Sequence, residues 1–553
     1  MSEGAMSVTD EYRALADSIV DDLLSWDPVG ATWLGDHRFD AELPDQSPER
    51  LDEIRQAIED HLAALDGVDD LELGLEDAVD LEILRAALSR AHFEITELRP
   101  TTWNPMVWNP GTALHLLVVR DFAPADERAA SLRGRLAAVG PFLSVARATL
   151  RDMPRIHVET AIGQLQGTRS LITGEVGHLV HDEFLVAEAV SAVNAFIEWL
   201  QARLDESHRD PRLGERLYAA TLWHALDDDT SAVELLDDAE TFLQGVTDEM
   251  RAVAAEVLDE AEPAEPAGAD ALVRRALLQI ARKAPVSNAT VLPLVAGAVD
   301  RTLAFVRAHD LVSVPPLDVE VIEMPEIHRG VAVAYCDAPG PLETAHVPTF
   351  VAVSPTPADW DAARVESFYR EYNGVQLHDL TIHEAFPGHV LQLAHARQLQ
   401  SPTLVRRFGM SGVFVEGWAV YAEQLMLDRG YTPSDDPRSA AAIRLQQLKM
   451  QARMTINAIL DIRVHAYGMT EEEGLSLMID RGFQEEGEAV GKWRRALLTA
   501  GQLPTYFVGF RSVSGIADDL RVLHPDWSDR QLHDLMLSQG SPAPRHLRTL
   551  LGI

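Results

Sequence analysis

Apolar residues recur at three- and four-residue steps over 12–24, 51–65, 132–150, 186–204 and 232–258. A period near 3.6 gathers such residues on one helical face, so each stretch predicts an amphipathic helix packed against its neighbours. The acidic, Pro- and Ala-rich run 259–270 (DEAEPAEPAGAD) reads as an exposed connection, and helical periodicity resumes over 271–282. After Pro315-Pro316 the texture changes: short β-branched or aromatic runs at 319–322, 331–335 and 349–353, separated by Pro and Gly, predict a small sheet. Helices return beyond it, two of them opened by capping boxes, Thr470 with Glu473 and Ser528 with Gln531. No internal repeat is present. The pattern predicts a mainly α, multi-helical body with a small β-sheet beside a deep cleft. Its expected parts are an N-terminal helical region (1–316) and a C-terminal region (317–553), joined in one integrated body.

Charge narrows the partners. The formal net charge is −40, with Arg supplying almost all the positive charge. Such a surface repels nucleic acid phosphate and anionic lipid, so neither is an expected partner. It suits plain solubility, and it suits attraction of cationic substrates. The one cysteine, Cys336, excludes an intramolecular disulfide and a thiolate metal cluster, which fits a reducing compartment. Residues 1–12 lack a basic stretch followed by an apolar one, and no run of about 18 apolar residues occurs anywhere. These features give the expectation of a cytoplasmic protein that does not span a membrane; the oligomeric state is left open.

Chemistry concentrates in 381–392, TIHEAFPGHVLQ. Neutral imidazole is a good zinc ligand, and a neighbouring carboxylate can take a proton from activated water, so His383, Glu384 and His389 are candidates for a metal-dependent hydrolase. On a continuous helix two such histidines sit four residues apart; here they are six apart, and six residues advance a helix by about 600°. The spacing makes sense only with a local distortion, for which Pro387 and Gly388 provide the means.

The segment 413–427, VFVEGWAVYAEQLML, is an apolar helix interrupted by Glu416 and Glu423. Seven residues is close to two turns, so both carboxylates share a face, where burial is costly unless they are paired or bind a metal. One would complete a site of two His and one Glu; the other would orient a ligand histidine. Spacing alone does not decide which. Downstream, His465, one turn after Asp461, and Tyr506, in 500–510 (AGQLPTYFVGF), are candidate donors to a developing oxyanion. Arg494 and Arg495 suit a substrate carboxylate or pairing with the many surface acids.

These residues resemble the large group known as domain of unknown function 885, regarded as zinc metallopeptidases and distantly similar to helical gluzincins such as angiotensin-converting enzyme and the oligopeptidases. The group's HEAxPGH motif matches 383–389, and its F-x-EGWA-x-Y-x-E motif matches 414–423. Asp461 to His465 (DIRVH) resembles its D-T-G-L-H element, 500–506 its PGQA-x-x-Y element, and 27–45 its opening. The chain departs from it at Val390, where a second His is usual, at Ala500 in place of Pro, and at Arg463 in place of Gly.

The resemblance implies a gluzincin-like body and a Zn²⁺ ion held by His383, His389 and Glu416, since EGWA is similar to the N-E-G-F-A run whose Glu is a ligand. Glu384 would be the general base, Glu423 the orienting carboxylate, and His465 and Tyr506 oxyanion donors. The expected substrate is a peptide, or otherwise a small non-peptide amide or a biosynthetic intermediate, with an extended substrate lying along the sheet edge. A helical binding scaffold without activity is the contrasting possibility.

Overall fold

The computed structural model describes residues 7–259, 266–324, 333–357, 360–436 and 438–553. The fold is mainly α, with one small sheet. The chain clusters into two compact units that divide it elsewhere than at 316/317: one gathers Met1–Pro211, Pro339–Val347 and Leu399–Gly409, the other Arg212–Ala338, Pro348–Gln398 and Met410–Ile553. Helices of the 212–316 stretch pack on the long helix near the C-terminus, and sequence periodicity does not show such a partnership.

In the first unit, helices Ala125–Thr149, Arg155–Leu171 and Glu183–Gln201 enclose a core that includes Trp108, Phe142 and Phe196. Two short segments from later in the chain are fastened to it by buried charge. Arg406 reaches Asp80 at 2.9 Å and Glu76 at 2.6 Å, and the Thr403 hydroxyl donates to Asp80 at 2.6 Å. His37 sits between Asp40 and Glu343, 2.9 Å from each, with its ring stacked on Phe122. Burial alone would disfavour a charged imidazole, but the two carboxylates outweigh it and raise the His37 pKa to about 9.

In the second unit, α1 (Glu215–Leu226) and α2 (Ala232–Leu258) precede α3 (Pro266–Lys283) and α4 (Val291–Ala308). The expected helix 232–258 is observed at those bounds, because its apolar stripe is uninterrupted and Ser231 with Glu234 forms a capping box at its start. Three strands follow: β1 (Val319–Glu323), β2 (Ala334–Asp337) and β3 (Thr349–Val353). They lie in the order β1-β3-β2, with β1 parallel and β2 antiparallel to the central β3. The expected strand 331–335 falls partly outside the described residues, as do 260–265 of the 259–270 connection, whose last five residues already belong to α3.

Beyond the sheet come α5 (Ala362–Glu371), α6 (Gly374–Glu384), α7 (His389–Ala396) and α8 (Gly412–Asp428). Then follow α9 (Ser439–Tyr467), α10 (Glu486–Leu498) and α11 (Thr505–Leu523). The 29-residue α9 runs through the unit with twenty buried positions spread around its circumference, packed by α2, α6 and α11. Both capping boxes expected at Thr470 and Ser528 are present.

The His37 bridge carries a pH signature. Its folded pKa is raised, so its contribution is complete below the unfolded value near 6.5 and is lost as pH rises through about 9. The melting-temperature gap between the native chain and His37→Gln is therefore expected to be widest below pH 6.5 and to narrow steadily towards pH 10. A gap independent of pH would show that the bridge holds no charge.

Candidate metal centre

α6 carries buried Asp379, His383 and Glu384 into an otherwise apolar core and stops at Glu384. Ala385 leaves helical geometry (φ −118°, ψ −87°), the Phe386–Pro387 peptide is cis, and α7 begins at His389. The six-residue spacing is thus resolved by ending one helix and starting another. Gly388 permits the fold-back: its N–H donates to the Ile382 carbonyl at 3.0 Å, and a Cβ there would lie 1.9 Å from the His383 carbonyl oxygen. The Trp418 indole N–H donates to the Pro387 carbonyl at 2.8 Å and fastens the turn to α8.

α8 brings Glu416 and Glu423 to opposite sides of one imidazole. Glu423 accepts from His383 Nδ1 at 2.7 Å, and Nε2, on the far side of the ring, faces Glu416 Oε2 3.4 Å away. His389 Nε2 lies 3.6 Å from the same oxygen, and the two rings stand at 87°. The three candidate ligand atoms all lie within 4.8 Å of one another. Metal bonds of about 2.1 Å in a tetrahedral site separate ligand atoms by about 3.4 Å, so this donor set fits one small divalent cation. Glu416 Oε2 is buried without a hydrogen-bond partner among the described residues, as expected of an atom shaped for a cation.

The electrostatics agree. Burial disfavours charge on His383, yet Glu416, Glu423 and Glu384 outweigh it and hold its pKa well above the ordinary histidine range. Burial also opposes charge on Glu416, but His383 and His389 pull its pKa far below the usual carboxylate value. Glu384 goes the other way: burial, helped by Glu416, raises it despite the two histidines. The backbone N–H of Cys336 on β2, an edge strand of the sheet, donates to Glu384 Oε2 at 2.9 Å. The sheet therefore orients Glu384.

Tyr506 stands in the first turn of α11, where burial and the Glu416 carboxylate raise its pKa against the pull of Arg495. α11 reaches α8 through two glycines. A Cβ on Gly417 would lie 2.3 Å from the Gly509 carbonyl carbon, and one on Gly509 would lie 2.1 Å from the Val413 oxygen. This backbone-on-backbone contact places Tyr506 beside Glu416.

His465 is not brought to this group. Its Nε2 faces the carbonyls of Ala496 and Thr499 at 2.8 and 2.9 Å, its ring stacks on Tyr218, and it is 2% exposed. Asp461, one turn earlier, accepts from the Tyr218 hydroxyl at 3.0 Å and the Gly501 N–H at 2.8 Å. The pair holds the turn that launches α11, so the expected oxyanion role is corrected to a positioning one. Arg494 is exposed, whereas Arg495 is half-buried and donates to Gln502 at 2.6 Å. Sequence reasoning passed over Gly417, Trp418 and the Cys336 N–H. The run EGW contained the first two, but what each touches comes from distant parts of the chain.

The sequence profile described as "Bacterial protein of unknown function (DUF885)" matches residues 28–551. The chain belongs to this family. A solved structure described as "a putative lipoprotein of unknown function" from Shewanella oneidensis is 27% identical, covers 99% of this chain and 100% of its own, and superposes with a TM-score of 0.80. "The putative lipoprotein from Colwellia psychrerythraea" is 16% identical, covers 99% of both chains and gives a TM-score of 0.79. An M32 carboxypeptidase from Deinococcus radiodurans R1 covers 99% of this chain and 95% of its own at 11% identity, but its TM-score of 0.32 carries no argument. No curated protein matches the chain.

The cytoplasmic expectation is overturned by the Shewanella and Colwellia proteins, each described as a "putative lipoprotein". A lipid anchor requires neither a disulfide nor a spanning helix, so one cysteine and the lack of a long apolar run do not indicate the cytosol. Among the described residues no helix is long and apolar enough to cross a membrane.

The glycine contact can be tested apart from any chemistry. Gly417→Ala must push backbone apart and is expected to cost about 3 kcal/mol or more. Gly491→Ala, on an exposed position of α10 with nothing within 4 Å, is expected to leave the melting temperature unchanged or raise it. Equal behaviour of the two in thermal denaturation would refute the close approach.

Proposed function

We propose that the chain is a zinc-dependent hydrolase that cleaves peptide amide bonds. The observation that carries this reading is the convergence of His383 Nε2, His389 Nε2 and Glu416 Oε2, with Glu384 beside them. A zinc ion bound there supplies Lewis acidity, activating water and polarising the scissile carbonyl. His383, His389 and Glu416 hold it, and Glu423 keeps His383 in the tautomer that presents Nε2. Glu384, its pKa raised by burial and its carboxylate oriented by the Cys336 N–H, accepts the proton of the attacking water and delivers it to the leaving amine. Tyr506, its hydroxyl kept protonated by burial, donates to the carbonyl oxygen as negative charge develops there.

Elemental analysis of the purified, zinc-supplied protein is expected to give one zinc per chain, and a peptide-library digest is expected to yield cleavage that a chelator abolishes. Glu384→Gln keeps the metal and loses turnover by about 100-fold or more, since an amide holds the geometry but takes no proton. Near-normal turnover in that variant would remove Glu384 from the mechanism. Zinc binding with hydrolysis only of non-peptide amides would move the substrate class.

Removing each glutamate of α8 separates their roles. Glu416→Ala is expected to lose zinc affinity more severely than Glu423→Ala, whose loss is about 10–100-fold because it acts through His383. Competitive chelator titration ranks the two, and the reverse order would exchange the assignments.

A further inference from the structure

α10 and α9 hold a cluster of cations that the chemistry above does not use. Lys449 pairs with Glu371 at 2.8 Å, and Arg453 pairs with Glu488 while donating to the Tyr372 hydroxyl at 3.1 Å. Those two pairs engage Glu371 and Glu488, while the buried Asp461 lies near Arg495 without an ion pair to it. Lys492 is 6% exposed, and among the described residues no carboxylate lies within ion-pair distance of its ammonium. Arg495, one turn further along the same face of α10, donates to the neutral Gln502 and Tyr506 side chains, and among the described residues it forms no ion pair. A buried, unpaired lysine is costly in a protein interior, and two such cations side by side repel each other. Burial, with Arg453 and Arg495, accordingly pushes Lys492 well below the usual lysine range. In a chain of net charge −40, this local excess of positive charge stands out.

The excess adjoins the candidate metal centre. Arg495 lies beside Tyr506, and Tyr506 lies beside Glu416 and His383. We propose that Lys492 and Arg495 form an anion subsite that binds a carboxylate of the substrate, next to the bond to be cleaved. The proposal rests on the hydrolase reading and gives it a substrate class: peptides whose free C-terminal carboxylate, or an acidic side chain close to the cleaved bond, reaches this pair. Binding the carboxylate would satisfy both cations at once and fix the substrate's register relative to Glu384. It also reverses the expectation that the acidic surface selects cationic substrates.

Binding is measured on the zinc-loaded Glu384→Gln protein, so that no turnover intervenes. The probes are N-acetyl-trialanine as the free acid, the same peptide as the C-terminal amide, and an amidated analogue with Asp as its last residue. Calorimetry is expected to show the free acid binding about 10- to 100-fold tighter than the amide, the range for a charge-assisted hydrogen bond. That preference should collapse when Lys492→Met or Arg495→Gln is added. Recovery of tight binding by the Asp-amide probe assigns the subsite to an acidic side chain; failure of that recovery assigns it to the C-terminus.

Equal binding of acid and amide overturns the proposal. So does a preference that neither substitution moves, which would mean that the carboxylate binds elsewhere, including directly at the metal. Circular dichroism and zinc content check each variant, and Arg495→Gln alone suffices should Lys492→Met not fold. Hydrolysis by the native enzyme is scored separately. Cleavage without a preference for acids rejects the subsite and keeps the peptidase; binding preference without cleavage of any peptide does the opposite.

Discussion

Everything in the second unit depends on burying several carboxylates and two imidazoles in one place. Asp379, Glu384, Glu416 and Glu423 converge on His383 and His389 within an apolar core. Such a concentration of like charge is unfavourable unless opposite charge is held among it. The long α9 and the short helices around it supply the apolar walls, and the two imidazoles supply opposite charge at the centre of the group. His383 is the focal residue, because Glu423 takes one of its nitrogens and the other faces Glu416. A helix with glutamates two turns apart is a simple device for gripping one ring from both sides.

The remaining requirement is close approach. A turn as tight as Ala385–Gly388 leaves no room for a side chain at Gly388, and the passage of α8 against α11 leaves none at Gly417 or Gly509. Glu384 is aimed from the sheet through a backbone N–H and not by another side chain. The small sheet thus earns its place in a helical protein by presenting an oriented peptide group that a helix interior, with its own N–H groups committed, does not offer.

Much of this was legible in the residues. The helix 232–258 and the strand 349–353 could be read at their observed bounds, because uninterrupted periodicity and capping or turn residues marked both ends. His383 and His389 stood out through their motif, Glu416 only through the resemblance of EGWA, and the Pro-Gly interruption signalled that the helix could not continue; the structure brings the three side chains together. What stayed hidden depended on partners far away in the chain. Asp461 and His465 share a helical face, but nothing local says that the face meets the 496–501 turn and not the metal group. A glycine inside EGW reads as neutral until Gly509 is known to press on it. The division at 211/212 was invisible for the same reason, since the helices of 212–316 find their partner in α9.

Glu416, Gly417 and Trp418 are consecutive, yet each answers to a different demand: a charge for the metal group, an absent side chain for α11, and an indole for the Pro387 carbonyl. Two of the three maintain architecture, and only the first maintains chemistry. Over evolutionary drift these demands are separable. A chain stripped of Glu416 would still need the glycine for the approach of α11 and the tryptophan for the Pro387 carbonyl. Membership in the family, judged by shape, therefore marks descent alone, and on the hydrolase reading proposed above the identities at 383, 384, 389 and 416 would distinguish a working relative from an inherited shell.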